Sequence, residues 1–436
     1  MVLGGGPAGI AAAADLHREG LSVVLLEKRP AGSPRVGETL GAEVGPLLER
    51  LGMWELAAPF LAGGRPFTLV RSAWGSAELD ERPSILHPLG AGFHLDRAPL
   101  DEALLEALAK RGVEVHLGVA PKVARDSDGG FRVIWQGGEV VADRLVDATG
   151  RGEGPAVALG LARWVALDRQ VALVASYEPD EDPSLMLEAL PEGFFYSAPV
   201  GESLVVAWVT DADLLTRHGR GRATRFERAL AASVLTRERV GGRPLRHGPF
   251  AHRSESGYLL PDQGEGWCAV GDAAHSTDPL GGQGVARGLA SGLEAVAKLS
   301  GGPTRARDLG RYLDTRGRYY ALEARFSDET FWKRRRPTDP DGNACDWREV
   351  ELTLSPETRL SGRLSDERSP SRPGARSIDP AAEAWLPLDA LAWLAELEAM
   401  PAHEVMTGLL SHTGLEPKRL LVALQWLVAA GALRAD

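Results

Sequence analysis

MVLGGGPAGIAAAADLHREGLSVVLLEKR, residues 1–29, decides the fold. A short apolar strand runs into the spacing G-x-G-x-x-G at Gly4, Gly6 and Gly9, then into a helix with Ala and Leu on one face. A second strand, SVVLLE, follows and ends in Glu27. In this setting the glycines permit a tight turn and close approach of backbone to a pyrophosphate, whose charge sits at the helix N-terminus. Pro7 and Ala8 complete the loop, and Lys28 follows the acid. A carboxylate at the end of the second strand accepts ribose hydroxyls, so Glu27 predicts a free 2′-hydroxyl, as in FAD or NAD.

GDAAHSTDPLGGQG, residues 271–284, follows a buried strand and opens a long helix, GGQGVARGLASGLEAVAKL. A dehydrogenase that binds only a nicotinamide dinucleotide has no use for this second strand, loop and helix; an FAD protein does. Gly271 and Asp272 stand at the strand end, where a carboxylate can accept from ribityl hydroxyls. The Gly281-Gly282 pair leaves main-chain N–H groups bare at a helix start, suited to an electron-rich flavin edge, and Pro279, Gln283, Gly284 and Val285 complete the loop. A glycine-rich helix cap without a ligand is the alternative.

The chain of 436 residues, 44% hydrophobic, can bury a large core in two or three domains. A formal charge of -11 argues against nucleic acid or an anionic membrane as partner. Two cysteines, Cys268 and Cys345, are too few for a disulfide framework and lack zinc-site spacing, so no metal and a cytoplasmic location are expected. No apolar run approaches the roughly 20 residues of a membrane span. Strands such as QVALVASYE, GFFYSAPV and SLVVAWVTDA alternate in the middle of the chain, and Pro, Asp, Arg and Ser dominate after KRRR. The expected class is therefore α/β with α+β character. A Rossmann-like FAD-binding domain (1–55, 93–162, 258–332) carries an inserted antiparallel-sheet substrate domain (56–92, 163–257). An irregular linker (333–380) and a small helical, winged-helix-like domain (381–436) complete the expectation.

GGGPAG, DATGRG and GDAAHSTDPLGGQG resemble the three FAD-contacting motifs of the flavoprotein monooxygenases of the para-hydroxybenzoate hydroxylase fold, over about residues 1–330. The resemblance implies that Ala148, Thr149 and Gly150 touch FAD and that the flavin ring lies against Pro279 to Gly284. It also implies that Arg97, in HLDRAPLDEAL, lies beside the cofactor phosphates; a helix-capping surface arginine is the alternative. RVGETLGAEVGPLLERLGMW, VRSAWGS, GFHLDR, GFFYSAPV and SLVVAWVTDADL are similar to the tryptophan-halogenase-like branch. Within that branch they are similar to flavoproteins that hydroxylate a peptidyl tryptophan of an amine dehydrogenase during tryptophylquinone biogenesis. Arg35, Glu38 and Thr39 belong to a motif that packs near the flavin in such proteins.

Halogenases of this branch depend on a lysine beyond the G-E-[ST] motif and on a W-x-W-x-I-P motif. Here no lysine occurs from Arg29 to Ala109, and the aromatic segment reads GFFYSAP. Hydroxylation therefore leads, and it needs FAD, O2, and electrons from NAD(P)H or from an external reduced flavin supplied by a reductase. DATGRG lacks the Asp-Gly pair that touches both FAD and NADPH in single-component hydroxylases. Trp74, Phe194, Phe195, Tyr196 and Trp208 are candidates for an aromatic wall of the substrate pocket, with ordinary core packing as the alternative. Glu38, His94, His275 and Asp278 are the acid or base candidates. Glu38 could instead be a salt-bridged loop carboxylate, and His275 could merely satisfy local backbone groups.

Residues 376–436 carry four basic and eight acidic side chains, which fits protein docking or packing on the main body better than DNA. A protein or peptide substrate, an amine dehydrogenase subunit, is the expected partner. A small indole or phenol hydroxylase, an isoprenoid reductase and a flavin-stabilised assembly factor are the competing readings.

Overall fold

The computed structural model describes residues 1–33, 35, 39–83, 89, 91–152, 154–216, 221–301, 319–320, 322–335, 359–362, 400–413 and 433–435. The chain divides into two compact units, residues 1–84 with 91–335 and residues 85–90 with 336–436.

In the first unit the opening strand is Val2–Leu3, and its neighbours make it a strand. It runs parallel to Val24–Glu27 on one side and to Leu145–Asp147 on the other. The sheet extends to Glu114–Leu117 beyond the former and to Trp267–Ala269 and Gln263–Gly264 beyond the latter. A parallel sheet must be covered on both faces, and Val2, Leu3, Leu25, Leu26, Leu145, Val146, Cys268 and Ala269 are all buried. Helix Pro7–Arg18 buries an alanine-rich face, and helix Gly284–Gly292 packs against it. The fit leaves no room for side chains: a Cβ on Gly292 would stand 2.3 Å from the Ala8 carbonyl oxygen. Two short helices, Val44–Arg50 and Trp54–Gly63, follow the first strands, and the helix after the second glycine loop stops at Gly292 before resuming at Ala295–Leu299. The Cys268 thiol is buried in this core, and desolvation pushes its pKa up to about 12.

The second sheet has seven strands, in the order Leu245–Arg253, Gln170–Tyr177, Ser203–Asp211, Gly193–Val200, Leu185–Leu190, Leu69–Ala73, Asp80–Pro83. Alternation along a strand sends successive side chains to opposite faces. Phe195 and Trp208, paired across neighbouring strands, face a core with Leu173, Val206 and Phe226, under helices Arg222–Ala232 and Leu235–Val240. Phe194 and Tyr196 face the other way, into a core with Leu187, Leu280, Tyr320, Phe331 and Trp332. The expectation of one aromatic wall is thereby corrected for Phe195 and Trp208. Two helices already cover their face, so they are core residues.

Residues 319–335 were expected to belong mainly to the FAD-binding domain. Instead Tyr320, Phe331 and Trp332 pack on the substrate sheet, because their apolar bulk finds cover only on its second face.

In the second unit, strands Arg359–Gly362, Met400–Pro401 and Leu433–Ala435 form an antiparallel sheet with helix Ala402–Thr413 against it, Val405 and Leu409 buried. The strand Arg359–Gly362 corrects the expectation of irregular structure throughout 333–380, and the unit is mixed in character. RLSG has no strand signal of its own, and pairing with distant segments makes it one. Residues 381–399 and 414–432 of the expected helical domain lie outside the described residues. Among the described residues no helix is long and apolar enough to cross a membrane.

Trp332 is fully buried and donates from Nε1 to the Leu190 carbonyl at 2.6 Å. Trp332→Ala should cost about 3–5 kcal/mol in denaturant unfolding, whereas Phe250→Ala, at a side chain 60% exposed, should stay within about 0.5 kcal/mol.

Candidate active site

Gly4 has φ +109°, and a Cβ there would lie 2.2 Å from the carbonyl oxygen of Ala148. A Cβ on Gly9 would lie 1.8 Å from the carbonyl oxygen of Gly4, while one on Gly6 would meet nothing within 4 Å. The backbone is thus closed on the protein side and open at the N-terminus of helix Pro7–Arg18, a cradle of the kind a pyrophosphate occupies. Glu27 accepts from the Gly5 N–H at 2.7 Å and the Arg29 N–H at 2.8 Å, which fixes its carboxylate at the cradle edge. Lys28, beside it, is exposed. Arg35 lies 3.6 Å from Glu27 and 3.7 Å from Asp101, and Arg97 Nε lies 3.4 Å from Asp101. Burial pushes the Asp101 carboxyl up, against the pull of Arg97 and Arg35.

Arg97 is not an exposed cap. Its side chain is 12% exposed, its Nε makes no hydrogen bond, and Asp96 caps the helix by accepting from the Ala98 N–H at 3.1 Å. The open helix N-terminus behind Gly6, with Arg35 beside Glu27, fits an anionic ligand, so the residues present suit FAD.

The second glycine loop is joined to the first. Gly271, at φ +60°, donates its N–H to Ser291 Oγ at 2.9 Å, and a Cβ on it would lie 2.6 Å from that of Ala8. Between the loops stands the DATG turn, where the Thr149 hydroxyl donates to the buried Asp147 carboxylate at 2.7 Å. Burial raises the Asp147 pKa against that bond. Gly150 borders open space. Asp272 pairs with Arg151 Nε at 3.0 Å, and Arg151 also donates to the Thr277 carbonyl at 2.5 Å. Asp278 caps a turn at Pro279–Gly281, accepting from the Leu280 N–H at 3.0 Å and from the Tyr320 hydroxyl at 2.6 Å. Gly282 faces Thr39, whose Cγ2 would stand 3.4 Å from a Cβ at that residue. Gln283 and Gly284 are exposed at the helix start and Val285 is buried behind them. His275 lies on a two-residue strand paired with Gly257 and Tyr258.

Thr39 ties the loop to the substrate sheet. Its hydroxyl lies 2.8 Å from His94 Nδ1 and also contacts the Tyr196 hydroxyl. His94 is fully buried and stacked on Phe67, with Nε2 lacking a well-formed hydrogen bond. Burial, reinforced by the charge of Arg239, pushes its pKa down to about 4. At neutral pH it is uncharged, a hydrogen-bonding partner and not a store of protons. Glu38 lies outside the described residues.

Trp74 packs against Tyr319 and Trp332 at 4.9 Å between centroids and Phe194 at 5.6 Å, donating from Nε1 to the Tyr319 carbonyl at 3.2 Å. The aromatic face of the sheet therefore meets the chain's own segment 319–335. Sequence reasoning passed over Arg151, Gln170, Tyr319, Tyr320, Trp332 and Arg335. Arg151 sits in the quoted DATGRG, and the pairs Tyr319-Tyr320 and Phe331-Trp332 were the available signal for the rest.

Residues 1–162 match the family described as FAD dependent oxidoreductase. The chain is 29% identical over 360 residues to LodB of Marinomonas mediterranea, a protein named as an FAD-dependent oxidoreductase, covering 77% of this chain and 96% of LodB. Among solved structures it is similar to CmlS, a flavin-dependent halogenase, with TM-score 0.72, 19% identity, and coverage of 100% and 95%. It is also similar to QhpG, a peptidyl tryptophan dihydroxylase essential for tryptophylquinone cofactor biogenesis, with TM-score 0.62, 22% identity, and coverage of 99% and 98%. The structural likenesses show the fold, and the match over residues 1–162 with the likeness to LodB indicates an enzyme that binds FAD.

Gly4→Val should abolish flavin absorbance in the purified protein, because the side chain would occupy the Ala148 carbonyl. For His94 the folded pKa lies below the ordinary 6.5, so the unfolded chain takes up the proton first on acidification. Stability is complete above that ordinary value and falls by roughly 3 kcal/mol as pH drops toward the folded value. His94→Gln should flatten this acid limb in urea unfolding at about pH 7 and about pH 5.

Proposed function

We propose that this enzyme is an FAD-dependent monooxygenase that hydroxylates an aromatic ring. The preferred target is a tryptophan side chain of a partner protein, an amine dehydrogenase subunit, during biogenesis of a tryptophylquinone cofactor in the cytoplasm. FAD, when bound, supplies the two-electron activation of O2. The protein's part is to bind it, keep water away and orient the ring.

The observation that carries the reading is the aromatic surface beside the second glycine loop, with no lysine to relay an oxidised halogen. Of six lysines in the chain none lies between Lys28 and Lys110. Lys298, the buried one among the described residues, is held by Asp262 and the Ala269 carbonyl. What stands near the second glycine loop instead is Thr39 with its partners His94 and Tyr196, and the apolar surface of Leu280 and Phe194. QhpG, a peptidyl tryptophan dihydroxylase, is similar over nearly the whole chain. Arg35, Arg97 and the backbone of Gly4 to Gly9 would hold the cofactor phosphates, Glu27 the ribose and Asp272 the ribityl chain, with Arg151 ready to share it.

Halogenation is the second reading, favoured by the higher TM-score with CmlS. The electron donor is proposed to be a separate flavin reductase or NAD(P)H. The enzyme should be incubated with FAD, a reductant, O2, halide salts and a candidate partner protein. The expected outcome is the mass of one or two oxygen atoms added on a partner tryptophan. Replacement of ring hydrogen by chlorine or bromine would overturn hydroxylation in favour of the second reading.

A further inference from the structure

Tyrosine and tryptophan are the aromatic side chains that give up an electron most readily, and Trp74, Tyr319, Tyr320 and Trp332 stand in contact beside the substrate sheet. The Tyr320 hydroxyl donates to Asp278 Oδ2 at 2.6 Å, at the start of the turn Pro279–Gly281 in the second glycine loop. Its ring centroid lies 5.7 Å from those of Trp332 and Trp74, and Trp74 lies 4.9 Å from both Trp332 and Tyr319, all within the range of touching rings. Tyr320 and Trp332 are buried, whereas Trp74 and Tyr319 are partly exposed. Tyr319 also lies within reach of the charges of Asp80 and Arg82, on the exposed strand Asp80–Pro83. The rings thus lead from the loop proposed to face the flavin towards solvent.

We propose that these rings form an exit path for oxidising equivalents, protecting the site when O2 is activated there with no substrate in place. The inference rests on the FAD monooxygenase reading above. The oxidant is an oxygen-centred radical formed from O2. It takes one electron from the Tyr320 ring and becomes its anion, while the phenol proton crosses to the Asp278 carboxylate, which stands within hydrogen-bond reach. Trp332 or Trp74 then returns an electron to Tyr320, and Asp278 returns the proton. The Trp332 indole N–H donates to the Leu190 carbonyl, which is no base, so oxidised Trp332 keeps a positive charge in a dry core, at high cost. Trp74, partly hydrated, carries that charge more cheaply, so the electron vacancy moves outward to Trp74 and Tyr319. There an external thiol supplies the missing electron and releases its proton to water, and two such thiols end as a disulfide.

The test runs the full chain with FAD, NADH, a flavin reductase and O2, without aromatic substrate or thiol, and locates added oxygen by mass spectrometry of its peptides. In the unaltered chain oxygen should collect on Trp74 and Tyr319, and added thiol should suppress it. Trp74→Phe interrupts the path, so oxygen should appear on Trp332 and Tyr320 and be lost from Tyr319. Tyr320→Phe removes the entry, so oxygen should move to residues 279–284 of the loop. Phe250→Ala, at an exposed side chain outside the path, should leave the pattern of the unaltered chain in place. The same pattern in the unaltered chain, Trp74→Phe and Tyr320→Phe overturns the proposal. A freeze-quenched sample of the unaltered chain should also show a tryptophan or tyrosine radical by electron paramagnetic resonance, assigned with ring-deuterated residues. Absence of that radical overturns the proposal whether or not the variants fold. Absence of flavin absorbance in the unaltered chain instead overturns the FAD reading on which it rests.

Discussion

The carbonyl oxygen of Ala148 occupies the space in which any side chain at residue 4 would have to stand. That contact sets the distance between the first strand and the strand Leu145–Asp147, and so brings the first glycine turn, the DATG turn and the helix N-terminus to one edge of the sheet. The second glycine loop meets the first through an equally close approach, Gly271 against Ala8. Three separate pieces of chain come together because no side chain at residue 4 or residue 271 holds them apart. The glycine loops differ in what they present: the first offers an open helix N-terminus and a carboxylate, the second a capped turn and another helix N-terminus.

The cradle was legible in the sequence because tight backbone contacts exclude side chains, and an excluded side chain is written as glycine. Glu27 was legible for a similar reason, since a strand end beside a helix N-terminus leaves few residues able to reach a ribose. The aromatic wall was only half legible. Alternation already separates Phe195 from Tyr196, yet which face meets the glycine loop depends on where helices Arg222–Ala232 and Leu235–Val240 pack, and the local sequence does not record that. The contacts of Tyr320 and Arg335 were illegible: each reaches its partner, Asp278 or Asp211, only through the fold.

The polar groups inside the first unit follow a common pattern. Glu188 accepts from the Val234, Leu235 and Thr236 N–H groups, Arg239 donates to Asp180 and to the carbonyls of Ser197, Asp182 and Ser184, and Lys298 meets Asp262. Buried charge is costly unless it is paired and hydrogen-bonded, and these charges are. Arg97 follows it through its ion pair with the buried Asp101. His94 resolves the same tension differently, by staying neutral.

The close packing of helix Pro7–Arg18 on helix Gly284–Gly292 bears on how the protein is made. The first glycine turn is synthesised long before the surfaces it fits against, the Ala148 carbonyl and Gly271. Contacts so distant along the chain form slowly, and exposed apolar strands are prone to wrong pairing in the interval. During synthesis, Val2, Leu3 and the alanine face of the first helix must wait until the polypeptide has been extended through Gly292. The nascent chain is therefore a natural client for a chaperone over most of its translation.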